Sequence, residues 1–182
     1  DAVFSNKSSL CFEDSKLNFD DFYGKTKANG ESNSSFVINL RCSIIGLSPF
    51  NGNGIIEWFL KNKDQSTIAG FTDQIWCGVT TYQLVELCRN IIINDLFEKL
   101  RKISNVYHFA PNKCFSKYEL LLKLKKITKK RLNIEPKVSP SGPTKRILKS
   151  NYNLSDLINY RKQNIDESLT EIFKLKKVNY VT

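Results

Sequence analysis

Short runs of β-branched and aromatic residues alternate with longer stretches of helical spacing along the whole chain, and this pattern restricts the fold more than any other feature. Alternation of this kind belongs to α/β proteins, in which strands are covered by the helices that connect them. Residues 1–5 read as the end of a buried strand, 6–21 as a polar loop, and 22–32 as the beginning of a helix. Residues 36–42 form the next strand, apolar enough for a parallel, centrally placed one. A turn-rich loop over 48–54 leads to a short helix at 55–61 and a short strand at 66–71. Thr80 or Thr81 caps a helix that reaches about Ile93, with Leu84, Val85, Leu87 and Cys88 as its apolar face. A strand follows at 106–109. Ser116 then caps a lysine-rich helix, with Glu119 completing a capping box. Residues 133–138 read as a strand, 139–143 as irregular because of two prolines and a glycine, and about 165–176 as the last helix.

The 182 residues suffice for one ordinary domain or for half of a larger one, and 41% hydrophobic residues supply a core. The net charge of +10 is unevenly placed. Residues 1–98 carry eight basic and twelve acidic side chains, whereas residues 99–149 carry fifteen basic side chains against Glu119 and Glu135. Lys123, Lys125, Lys126, Lys129 and Lys130 interleave with leucines, as on an amphipathic helix with a solvated face. No aromatic residues alternate with them as a stacking platform requires, so we expect no nucleic-acid partner; steep salt-dependent binding would indicate one. No run of 18 apolar residues occurs, and we expect no membrane partner. The five cysteines are odd in number, widely spaced and never arranged as C-x-x-C, and His108 is the only histidine. We therefore expect no metal site, and thiols that are mostly reduced in a cytoplasmic setting. The chain contains no Met, which leads us to expect a piece of a longer protein.

Tyr23-Gly24-Lys25-Thr26-Lys27 sets a Tyr and a Lys four residues apart, one turn of helix on the same face. A phenol near pKa 10 exchanges protons poorly at neutral pH, and a neighbouring ammonium favours its phenolate. Such a pair can pass a proton to a carbonyl oxygen as a hydride reaches the carbon, or run the reverse. Two fixed positions in five also occur on ordinary surface helices.

The surroundings of this pair add to the signal. Tyr23-Gly24-Lys25-Thr26-Lys27-Ala28-Asn29-Gly30-Glu31 is similar to a Y-G-x-x-K-x-x-G-E segment. Leu40-Arg41-Cys42-Ser43-Ile44-Ile45-Gly46 is similar to L-R-x-S-x-x-x-G, with the glycine one place early. Asp73-Gln74-Ile75 and Gly78-Val79-Thr80-Thr81-Tyr82 match D-Q-x-G-x-P-T-Y, except that Trp76 and Cys77 are additional and Val79-Thr80 replaces x-Pro. Tyr107-His108 matches a G-x-Y-H strand. In this order the segments resemble the C-terminal part of an extended short-chain dehydrogenase/reductase, in its dTDP-4-dehydrorhamnose reductase branch. The likeness runs over nearly the whole chain.

That resemblance implies an α/β fold: the C-terminal portion of an NAD(P)-binding Rossmann-type fold with a smaller α/β substrate-binding region. Residues 1–46 would be the remaining Rossmann part, and residues 47–182 mainly the substrate region with elements returning to the Rossmann core. Tyr23 would be the catalytic acid/base, and Lys27 would lower its pKa and bind the nicotinamide ribose. Cys42, Ser43 and Ile44 would lie beside the cofactor, NADP or NAD. Ser5, Gln74, Trp76, Thr80 and Arg146 would contact a nucleotide-sugar substrate. The activity implied is NAD(P)H-dependent reduction of a 4-keto-deoxysugar nucleotide on the way to surface polysaccharide. The resemblance leaves room for a homodimer. No G-x-x-G-x-x-G occurs, and the family's catalytic Ser/Thr would fall ahead of Asp1, so we expect these 182 residues to be inactive alone.

Other residues admit two readings. His108 is a hydrogen-bonded core histidine or a base. Trp76 packs on the helix after Thr80 or stacks on a ligand. Lys145-Arg146 is an exposed loop or a diphosphate fork. Ser5 and Ser43 have no activating base in view for a hydrolase. At the level of activity, an epimerase or dehydratase of the same fold and a non-catalytic binding module remain as alternatives.

Overall fold

The structure, a computed structural model, describes residues 1–7, 10–48, 52, 54–161 and 163–178, with side chains described to residue 174. The first half holds β1 (Leu10–Cys11), α1 (Phe22–Asn29), β2 (Asn39–Arg41), β3 (Ile44–Ile45), α2 (Ile55–Lys61), β4 (Thr67–Phe71), β5 (Ile75–Trp76) and β6 (Val79–Thr80). Two helices follow, α3 (Thr81–Ile93) and α4 (Phe97–Ile103), and then β7 (Val106–His108) and β8 (Phe115–Ser116). The remainder is α5 (Lys117–Thr128), β9 (Asn133–Lys137), β10 (Ile147–Leu148), α6 (Leu154–Leu157) and α7 (Ile165–Val178).

Among the described residues, four strand pairs are parallel: β1 with β10, β2 with β7, β3 with β6, and β4 with β9. Each needs a long crossover, which the helices provide. The exception is the antiparallel pair β5 and β8. One core cluster lies around α2, β4, β9, α5 and α7, with Ile56, Phe59, Leu124 and Leu169 fully buried. A second gathers Val79, Leu87, Leu100, Tyr107 and Phe109 around β6, α3, α4 and β7. A small third cluster joins Val3, Phe4, Cys11 and Leu148.

Local signals account for the long helices. Thr80 and Ser116 each accept from the backbone nitrogen three residues on, while Gln83 and Glu119 bond back, giving two capping boxes. Helix α2 matches the expected 55–61, and α7 begins at Ile165 and runs two residues past its expected end. Strand β2 is shorter than expected because Phe36 is left 86% exposed outside it. Residues 1–5 are not a strand: Phe4 N donates to the Asp1 carbonyl in a turn, although Val3 and Phe4 are buried. Of the loop expected at 48–54, residues 49–51 and 53 lie outside the described residues. Helix α4 and strands β1 and β10 were not foreseen.

The cysteines require a correction. Cys77 and Cys114 form a disulfide, with Cα atoms 4.3 Å apart, so the expectation of mostly reduced thiols fails for this pair and holds for the other three cysteines. The reason is register: Ile75 faces Ser116 and Trp76 faces Phe115, so Cys77 and Cys114 are the next facing pair of the same antiparallel ladder. Cys42 and Cys88 are free thiols.

Candidate active site

Helix α1 presents the Tyr–Lys pair. Its N-cap is Asp21, whose carboxylate accepts from Gly24 N at 2.7 Å. Gly24 is the only buried residue of the helix. A Cβ there would run into the Ala2 carbonyl oxygen and the Phe19 side chain, so glycine lets α1 press against the segment that precedes it. The helix therefore lies close to residues 1–4, with Ala28 packed against the Val3–Phe4 cluster and its other side chains facing outward. Tyr23 is 60% exposed, and Lys27 Nζ stands 5.2 Å from the centre of its ring. One helical turn brings the two groups together, with the ammonium over the ring face.

Both line an open cavity of about 620 Å³. Its other walls include Thr26, Glu31, Asn39 and the segment Cys42-Ser43-Ile44 that follows β2. The Tyr–Lys pair and the three residues expected beside a cofactor thus meet at one site. Trp76 joins it indirectly: its indole Nε1 donates to Ser43 Oγ at 2.9 Å, and its ring packs on Phe115 at 5.2 Å between centres.

The remaining expected substrate contacts do not line this cavity. Thr80 is fully buried, with its hydroxyl engaged as the cap of α3. Gln74 is buried and holds the 139–144 loop, donating to the Gly142 carbonyl and accepting from Thr144 Oγ1 at 2.8 Å. Ser5 turns inward, where its hydroxyl accepts from Lys7 N at 3.2 Å. Arg146 donates through Nη1 to the Phe4 carbonyl at 3.3 Å, while its buried Nε has no partner. Lys145 is exposed.

Beneath the cavity lies a polar network whose members stand far apart in the chain. Arg41, 8% exposed, grips the Glu31 carboxylate through Nε at 2.6 Å and Nη2 at 2.7 Å. Its Nη1 donates to the Glu13 carbonyl at 3.0 Å and lies 3.4 Å from His108 Nε2. Burial pushes the Glu13 carboxyl upward, but hydrogen bonds from Ser150, Asn151 and the His108 backbone outweigh it and hold the group below its ordinary 4.5. Burial pushes His108 below its ordinary 6.5, against the pull of Glu13 and the Lys149 carbonyl. Its Nδ1 lies 2.7 Å from that carbonyl, so a neutral ring donating from Nδ1 and accepting at Nε2 satisfies both neighbours. His108 is the hydrogen-bonded core histidine of the two readings. Glu31 and Arg41 were visible as motif letters, whereas Asp21 was not singled out as the cap of α1. Glu13 had no signal, since the partners of its carboxylate lie 95 to 138 residues away.

The lysine-rich helix α5 is engaged elsewhere. Leu120, Leu121 and Leu124 are buried, and Lys123 pairs with Asp166 at 2.8 Å. Among the described residues, no helix is long and apolar enough to cross a membrane, and no group of three His, Cys, Asp or Glu side chains could hold a metal ion.

No family model matches the chain, and no curated protein matches it by sequence. Solved structures do match. A dTDP-4-dehydrorhamnose reductase from Clostridium acetobutylicum is 20% identical with a TM-score of 0.73, covering 97% of this chain and 63% of its own. The dTDP-4-dehydrorhamnose reductase from Bacillus anthracis, solved in complex with NADP, is 19% identical with a TM-score of 0.69 over 96% of this chain and 62% of its own. A UDP-glucuronic acid 4-epimerase from Bacillus cereus, solved with UDP-glucuronic acid and NAD, is 20% identical with a TM-score of 0.66 over 97% and 59%. The chain has the α/β fold of these proteins and spans about three-fifths of their length.

Proposed function

We infer that the chain carries the proton-transferring and sugar-facing part of an NAD(P)H-dependent reductase of a 4-keto-deoxysugar nucleotide. The observation that carries this reading is the placement of Tyr23 and Lys27 on one helical face, open to a cavity bounded by Cys42, Ser43 and Ile44. In support, the most similar folds include two dTDP-4-dehydrorhamnose reductases, one of them holding NADP.

The cavity suits the nicotinamide end of such a cofactor, since it is open, about 620 Å³ in volume, and carries a phenol and an ammonium at its edge. Tyr23, Lys27 and the Cys42-Ser43-Ile44 wall would hold that end. The chain has no glycine-rich loop for the pyrophosphate. When bound, the cofactor supplies the hydride. Tyr23 delivers the proton to the carbonyl oxygen of the sugar, and Lys27 offers positive charge to the phenolic oxygen as that proton leaves. Ser43, fixed by Trp76, shapes the wall against which the sugar lies. Arg146, through its bond to the Phe4 carbonyl, and Ser5, Gln74 and Thr80 hold the surrounding loops. We assign residues 1–46 to the cofactor side and 47–182 mainly to the substrate side. A nucleotide sugar and NAD(P) are soluble metabolites, so we place this work in the cytoplasm.

The test is net NADPH oxidation with a 4-keto-6-deoxysugar nucleotide. It is run on these 182 residues and on the longest polypeptide that their reading frame encodes. The expected result is no turnover by the former and stoichiometric oxidation by the latter, lost about a hundredfold or more in Tyr23→Phe. A reading frame whose activity ignores Tyr23→Phe would overturn the assignment. An epimerase of the same fold, favoured by the likeness to the Bacillus cereus enzyme, would convert its substrate without consuming NADPH.

A further inference from the structure

Trp76 and Cys77 are the two residues by which this chain exceeds the D-Q-x-G-x-P-T-Y pattern, and both are used. Trp76 donates to Ser43 Oγ at 2.9 Å, and Cys77 is bonded to Cys114. Behind them, Gly78 leaves room for the Ser43 carbonyl oxygen, into which a Cβ would project, and Val79 N donates to that same carbonyl at 2.8 Å. Residues 76–79 therefore bear on Ser43 at three points, and Ser43 lines the cavity that holds Tyr23 and Lys27. The disulfide anchors this segment to β8 at one end of the shortest of ladders, two residues per strand. Without the covalent rung, the Trp76 end would rest on two facing pairs of that ladder, while β6 keeps its pairing with β3 and the Gly78 carbonyl its bond from Asn112 Nδ2 at 2.8 Å.

The bond is also accessible from one side. Cys77 is 4% exposed, whereas Cys114 is exposed, and both line a surface cavity of about 270 Å³. An incoming thiolate reaches the Cys114 sulfur, and the buried Cys77 is the leaving group.

We propose that Cys77–Cys114 is a thiol-switched brace: oxidised, it holds Trp76 against Ser43 and sets the cavity wall, and a dithiol reductant releases it. In the release, a reductant thiolate attacks Cys114 Sγ and the S–S bond breaks. Cys77 departs as a thiolate and takes up a proton. The reductant's second thiol then attacks the mixed disulfide, freeing Cys114 as a thiol and leaving the reductant as a disulfide. Two electrons pass from the reductant to the protein. As control of the Tyr23–Lys27 cavity, the proposal rests on the function assigned above; the brace itself is measured without any activity.

The sequence has two tryptophans, so Trp58→Phe leaves Trp76 as the sole indole reporter. In that variant, purified without reductant, Cys77 and Cys114 are expected to resist alkylation until dithiothreitol is added. Reduction then shifts Trp76 emission to the red and lowers the melting temperature by roughly 5–10 °C. Ser43→Ala reproduces part of the red shift in the oxidised protein, and Cys114→Ser gives the reduced spectrum whatever the reductant. The dithiothreitol titration needs no cysteine substitution and decides the matter if Cys114→Ser does not fold. Unchanged Trp76 emission on full reduction, or alkylation of both cysteines before any reductant is added, would overturn the proposal. A redox response in these 182 residues, together with no NADPH oxidation by the longest polypeptide of their reading frame, would reject the reductase reading and leave the brace standing.

Discussion

Helices α1 and α5 both start on a side-chain cap, Asp21 onto Gly24 and Ser116 onto Glu119, yet they are held in place by opposite means. Helix α5 buries Leu120, Leu121 and Leu124 against the largest core and stops at Lys129, whose backbone is left-handed. Helix α1 buries only Gly24. It is fixed by its cap, by the close approach that Gly24 permits, and by Glu31, one residue past its C-cap, in the grip of Arg41. An apolar face would have to be covered, whereas polar fixings at the two ends leave the sides of a helix free. That freedom lets Tyr23 and Lys27 stand at an open cavity. The lysines of α5, although far more numerous, decorate a helix whose position the leucines determine.

This contrast can be broken or sharpened by substitution. The largest effect is expected for Leu124→Ala, which empties a fully buried position of α5 and should cost about 3–4 kcal/mol in denaturant unfolding. A much smaller loss would mean that α5 is not anchored by its leucines. Glu31→Gln leaves the buried Arg41 with a neutral partner and should cost about 3 kcal/mol, with amide exchange rising first in α1. Uniform exchange across both helices would remove the distinction.

Acid should act on the polar fixings before the apolar ones. His108 is depressed, so below pH 6.5 the unfolded chain takes up a proton that the folded chain refuses. Glu13 is depressed as well, and its contribution, complete above pH 4.5, is lost as pH falls through its folded value. Stability measured by urea titration should therefore fall from about pH 6.5 downward and more steeply below 4.5; a flat profile between 7 and 4 would contradict the network. Asp21→Ala should cost about 1 kcal/mol, read from thermal melts. Smallest of all, Tyr23→Phe should change stability by less than about 0.5 kcal/mol, because the hydroxyl holds nothing in the fold and is free for chemistry.

The sequence made legible whatever is decided within a few residues. The capping box at Ser116, a threonine cap for α3 at Thr80 or Thr81, the extent of α2, and the one-turn spacing of Tyr23 and Lys27 all follow from near neighbours in the chain. The pairing of Leu10 with Ile147, and the burial of Glu13 under Ser150 and Asn151, depend on partners more than 130 residues distant and leave no local trace. Helix α4 is only two turns long, and of its apolar residues Phe97, Leu100 and Ile103 only Leu100 is buried. The disulfide was missed because cysteine spacing says nothing of ladder register; the facing of Trp76 and Phe115 decides it. For the candidate site, residue types in a motif identified the Tyr–Lys pair and the wall at Ser43. They also nominated Thr80 and Gln74, whose hydrogen-bonding groups the fold consumes internally.

The parallel pairings have a consequence for synthesis. β4 is made long before β9, and β1 before β10, so each waits as an unmatched edge while the ribosome adds the crossover between them. The nascent chain can set its capped helices early, but it cannot close around Glu13 until residues 148–151 have left the exit tunnel. Translation that pauses before that point would expose Cys11 to chaperones, whereas a pause after it would leave that residue buried.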